Sequence, residues 1–94
     1  MKLIDVQTIT NDEFLVRISK NVITYHRVFV SDIAQKKFAR GQLTKEQLLK
    51  KSFLFLLQKE DQALILEEFD IEDIEKYFPE FSNIAEIGWI DVSG

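Results

Sequence analysis

Five consecutive apolar residues, Phe53 to Leu57, stand inside the otherwise charged stretch KKSFLFLLQKE, Lys50 to Glu60. Upstream, TKEQ begins at Thr44 with a Thr and a Gln three positions apart, the spacing at which each side chain satisfies the other residue's free backbone N–H. This capping box predicts a helix from Lys45 to about Lys59. On that helix Leu48, Leu49, Ser52, Phe53, Leu56 and Leu57 form one broad stripe and leave Leu54 and Phe55 on its flanks. A surface helix hides one stripe only. The flanks therefore require a second cover, either a later part of the same chain or a second copy in an isologous dimer.

Ahead of this helix the hydrophobic period is two rather than 3.6. In EFLVRIS the residues Phe14, Val16 and Ile18 alternate with Leu15, Arg17 and Ser19, the pattern of a strand with one buried face. SKN supplies a turn, and the β-branched and aromatic run VITYHRVFV reads as a partner strand, with an earlier strand around Leu3 to Thr10 joining through TND. The period changes at Ser31. Ser31 or Asp32 caps a helix over Asp32–Arg40, with Ile33, Ala34, Lys37 and Phe38 at helical spacing and Gly41 placed to close it in the left-handed region.

Beyond Glu60, Ala63, Leu64, Ile65 and Leu66 are too apolar to face water and suggest a short third helix or turn. DIEDIEKYFP then places Ile71, Ile74 and Phe78 on one face of a fourth, acidic helix that Pro79 stops, and IAEIGWIDV offers a last strand. The expectation is an α+β fold in one small domain, residues 1–94. An N-terminal antiparallel hairpin or three-stranded sheet (1–30) precedes three to four helices (31–79), and 80–94 form a tail or short strand.

The residue inventory excludes most chemistry. With no cysteine there is neither a disulfide framework nor a thiolate site, and His26 is the one histidine, so no imidazole pair exists to hold a metal. Gly41, Gly88 and Gly94 are too far apart for a phosphate-cradling loop, and no serine lies in a GxSxG elbow. The carboxylates from Glu67 to Glu75 lack the glycine and oxygen spacing of a calcium loop. No catalytic, cofactor or metal residues are assigned, and the chain is read as a non-enzyme. It contains no apolar run of the roughly 20 residues that span a bilayer and no apolar leader. The expectation is therefore a soluble, cytoplasmic protein without a membrane partner.

The net charge of −4 hides a division: residues 1–51 hold ten Lys or Arg against five Asp or Glu, and residues 52–94 hold two against eleven. This division suggests a surface with a positive and a negative side. Arg27 to Leu57, RVFVSDIAQKKFARGQLTKEQLLKKSFLFLL, resembles the ribbon-helix-helix fold of small DNA-binding repressors and antitoxins: a strand, a helix ending at glycine, a Thr cap, then a longer apolar helix. The resemblance implies a dimer whose paired strands enter the major groove, with Arg27 as a base-reading residue and Thr44 and Lys45 at the phosphate-contacting helix start.

The leading expectation from the residues themselves is a small non-catalytic protein-interaction or regulatory module. Its surface is expected to include Leu54, Phe55, Tyr77, Phe81 and Trp89, and its partner is another protein or a second copy of the chain. The DNA-binding regulator is the alternative.

Overall fold

The computed structural model describes residues 2–89. Four strands and three helices follow one another as β1 (Ile4–Thr8), β2 (Glu13–Ser19), β3 (Ile23–Phe29), α1 (Asp32–Ala39), α2 (Lys45–Lys59), β4 (Glu68–Asp70) and α3 (Glu72–Tyr77). The α+β class and the strands-then-helices order are as the sequence indicates. The sheet order is β1-β2-β3-β4, antiparallel except for the β3–β4 pair, which is parallel.

The period-two pattern of β2 sets the register. Phe14, Val16 and Ile18 face Val28, His26 and Thr24 across β3, and Thr8, Val6 and Ile4 across β1, so one sheet face is buried over most of its area, with Val6 and Thr24 half-buried and Thr8 exposed at its margin. The opposite face carries Leu15, Arg17, Tyr25 and Arg27 and faces solvent. Helix α2 packs on the inner face against β1, and its Phe53 ring reaches His26 on β3 at 5.5 Å and Phe69 on β4 at 5.9 Å.

The five-residue apolar run is covered on two sides. The sheet takes Phe53, while Phe55 turns away from it toward Phe78 at 5.9 Å and Phe81 at 5.6 Å. Phe81 lies between α2 and α1, where its ring is 4.9 Å from that of Phe38. The second cover is therefore this chain's own C-terminal segment. Its apolar residues Phe81 and Ile84 are fully enclosed.

Both helix starts follow the sequence logic. The Ser31 hydroxyl accepts the Ala34 N–H at 3.0 Å, and at α2 the Thr44 Oγ1 accepts from Gln47 N at 3.1 Å while Gln47 Oε1 accepts from Thr44 N at 3.0 Å. Thr44→Ala should lower stability by about 1 kcal/mol, the usual loss on removing a helix cap, and Thr44→Ser should retain most of it. Urea unfolding of the two variants measures this directly.

The apolar run after Glu60 makes a single 3-10 turn, Gln62–Leu64, one of the two forms its sequence allows. Other elements depart from expectation: Glu68–Asp70 is a strand, so the sheet is four-stranded and mixed rather than an antiparallel hairpin or three-stranded sheet, and the acidic helix is shortened to Glu72–Tyr77. Helix α1 ends one residue early: Arg40 itself adopts φ 51°, ahead of Gly41 at φ 73°. The Arg40 guanidinium, bound to Glu86 and to the Ser82 carbonyl, anchors this unusual backbone. In the tail, Pro79–Asn83 form a 3-10 turn and Ile84 to Ile87 continue as turns rather than a strand. Residues 90–92 of the expected strand lie outside the described residues. No helix among the described residues is long and apolar enough to cross a membrane.

Candidate functional site: an apolar cleft with acidic walls

The residue types that the sequence offers for binding are distributed very differently by the fold. Phe55 is 2% exposed and Phe81 is 0% exposed, so neither belongs to a surface; both are consumed in covering α2. Leu54 is half-buried against the core. Trp89 is exposed, with the Lys51 ammonium 5.5 Å from its ring. Tyr77 is 71% exposed, the only one of the five on the rim of a cleft.

The residues of the DNA-binding alternative are also committed elsewhere. Arg27 projects from the outer sheet face between Glu13, 3.0 Å away, and Glu68, 3.8 Å away, which places carboxylates where a phosphate backbone would approach. Along Arg27–Phe29, β3 is paired on both edges, by β2 and β4, and has no free ladder there for a second copy. The Lys45 side chain is 9% exposed and binds Asp12 and Asp32, each at 2.8 Å, and the Asn11 carbonyl at 2.8 Å. It ties the β1–β2 turn to the starts of both helices instead of reaching outward. Thr44 is exposed, but its side chain is spent on the cap.

The charge on this cluster follows from its contacts. Burial disfavours the Lys45 ammonium, but hydrogen bonds to Asp12 and Asp32 outweigh that and hold its pKa above the ordinary 10.5. The hydrogen bond from Lys45 holds Asp32 below its ordinary 3.8. A raised lysine stabilises the fold fully below its unfolded value and ceases to do so as pH rises through the folded one. A lowered aspartate stabilises above its unfolded value and ceases to do so as pH falls through the folded one. Well inside the interval from 3.8 to 10.5 the cluster contributes undiminished. Lys45→Met should therefore cost a constant amount, about 1–2 kcal/mol, since charged hydrogen bonds are lost but the carboxylates regain water. Urea unfolding at pH of about 5, 7 and 9 checks the constancy.

Three exposed apolar side chains, Leu64, Leu66 and Tyr77, gather at one place. Between the last turn of α2, the Gln62–Leu64 turn, β4 and α3 lies a cleft of about 270 Å³. Its floor is the buried set Leu56, Ile65, Phe69 and Ile74, and its rim carries Leu64 (65% exposed), Leu66 (56%) and Tyr77. Leu64 and Leu66 correct the expectation that this apolar run would be hidden: Ile65 alone turns inward. The charged residues lining the cleft are Glu60 and Asp73.

The wall containing Leu64 and Leu66 is stapled to the sheet from behind. The Leu66 carbonyl can only accept, so the His26 Nδ1 at 2.7 Å carries the proton. His26 Nε2 then accepts from the Thr24 hydroxyl at 2.9 Å, and Thr24 Oγ1 accepts from Gln62 Nε2 at 2.7 Å. His26 is 2% exposed, so the single imidazole is a buried fastener of this wall.

On the opposite wall, Asp73 Oδ2 accepts the Asp70 N–H at 3.2 Å and Oδ1 accepts from Lys76 at 3.0 Å. The Lys76 hydrogen bond lowers the Asp73 pKa against a smaller opposing effect of burial, so this carboxylate is ionised at neutral pH. Both walls are thus fixed by hydrogen bonds, and the cleft is a formed feature.

Among the described residues, folding bridges the sequence division of charge at three ion pairs. Arg27–Glu68, Lys37–Glu75 and Arg40–Glu86 each join the basic first half to the acidic second half. Comparison with protein-family models, with curated proteins and with solved structures gave no match for this chain.

Proposed function

We propose that the protein is a small non-catalytic interaction module whose docking site is the cleft between α2, β4 and α3. One observation carries this reading: Leu64, Leu66 and Tyr77, three of the largest exposed apolar side chains, all sit on the rim of the same apolar-floored concavity. Singly exposed apolar residues are ordinary on any protein, whereas apolar residues grouped around a concave floor form the type of surface that partners bury. The His26 staple supports the reading, because it holds the Leu66 backbone in the position that exposes this side chain.

The open face of the sheet serves binding less well. Its Ile23 and Tyr25 are exposed too, but they share a pleated surface with the Arg17–Asp5 and Arg27–Glu13 pairs, without a concave floor.

A displayed library of random peptides, selected on the wild-type protein and then challenged with Leu66→Asp, tests the proposal. Selected peptides should lose binding to the variant by about tenfold or more, the effect of unburying one leucine. Peptides that bind both proteins equally would place recognition elsewhere and overturn it.

A further inference from the structure

The chemistry of the cleft walls narrows the partner. From Glu60 to Glu75 the chain carries eight Asp or Glu and no Lys or Arg, and this segment supplies most of the lining. Glu60, at the mouth, has no ion-pair partner among the described residues, while Asp73 is shared with Lys76. Coulombic attraction at such a rim favours positive charge beside whatever apolar groups enter, and its effect is strongest on approach.

The backbone at the cleft restricts the form of the partner as well. An extended peptide docks by adding a strand to a free edge, and β4 is the edge strand beside the floor. Bonds from Arg27 N to the Glu67 carbonyl and from Ile71 N to the Phe29 carbonyl turn Glu67 and Ile71 toward β3, so the alternate residues Glu68 and Asp70 face the free side. The Asp70 N–H is already taken by Asp73, and α3 begins two residues on. At most the Glu68 N–H and carbonyl and the Asp70 carbonyl remain for a ladder, too few to hold a strand. Recognition must then run through side chains, which suits a helix presenting an apolar stripe.

Resting on the cleft being the docking site, we infer that its occupant is a basic amphipathic helix of another protein, with leucine-like side chains entering between Leu64, Leu66 and Tyr77 and lysines or arginines facing Glu60 and its acidic neighbours. Spacing of anchors at i, i+3, i+4 and i+7 on one face of the helix meets a concave apolar floor, as other helix-in-groove complexes do.

Three synthetic helices of about 18 residues test this, identical in their leucine face and bearing lysine, glutamine or glutamate on the other. Fluorescence anisotropy should show the lysine helix binding tightest and the glutamate helix weakest. The lysine advantage should shrink as salt rises from about 0.05 to 0.5 M. Glu60→Lys should reduce that advantage further. Leu64→Asp and Leu66→Asp should each weaken the lysine helix by about tenfold or more, although both add a negative charge. That sign separates docking from unspecific attraction to an acidic protein: binding preserved or strengthened in these variants would overturn both the inference and the cleft reading. Equal binding of the three helices would overturn the basic partner alone. Failure of all three, with library peptides still dependent on Leu66, would overturn the helix and leave the cleft.

Discussion

Phe53→Ala is expected to destabilise the protein by about 3–5 kcal/mol, a large share of the ~5–15 kcal/mol that holds a domain folded. The phenyl ring is fully enclosed, lying between His26 and Phe69 where α2 meets β3 and β4. Truncation removes its transfer free energy and leaves a cavity that a three-sided enclosure of sheet and helix closes poorly. Denaturant unfolding should show a lowered midpoint with an unchanged slope, because the fold that unfolds is the same size. A loss below about 1 kcal/mol would mean that Phe53 is not in the core and that the placement of α2 on the sheet is wrong. Phe53→Leu, which refills much of the volume, should recover most of the loss.

How much of this was legible in the sequence depends on how locally each feature is encoded. The alternation of Phe14, Val16 and Ile18, the Ser31 cap and the Thr44–Gln47 box are each set by residues within a few positions, and each stands in the structure as the sequence implies. Strand β4 was not legible. It is three residues long, Glu68 and Asp70 face outward beside a single inward Phe69, and it pairs in parallel with β3 only after the chain has crossed through α1 and α2. No period can be read from one apolar residue, and Asp70, the last residue of the strand, reads in the sequence as the opening of the acidic helix.

The candidate site was legible only in part, for a related reason. Which aromatic is core and which is surface depends on what comes back to cover α2. Phe55 and Phe81 face each other across that closure and are hidden, while Tyr77, four positions before Phe81, is left outside. The signal for Leu64 and Leu66 was present in their alternation about Ile65. It became readable only once His26 was seen to fasten the Leu66 carbonyl, a bond between residues forty positions apart. Charge was legible only as a sum over each half, because ion pairs such as Lys37–Glu75 join the two halves in space, while the sequence displays them separately.

The second large effect concerns that closure. Phe81→Ala should also cost about 3–5 kcal/mol, because Phe81 is fully buried and packs against Phe38 of α1 and Phe55 of α2. The consequences differ from those at Phe53. Removing this ring loosens the segment that covers α2, so amide exchange should quicken first around Pro79–Asn83 and along the Phe55 side of α2, ahead of the sheet. Were Phe81 a partner-binding side chain on the surface, its truncation would change stability by less than about 0.5 kcal/mol. The pair Phe55→Ala and Phe81→Ala extends the test. Residues in contact lose a shared interaction, so the double variant should be less destabilised than the sum of the single ones, falling short of it by about 0.5–1.5 kcal/mol. Strict additivity would mean that the two rings do not touch, and that α2 owes its second cover to something other than this chain's own C-terminal segment.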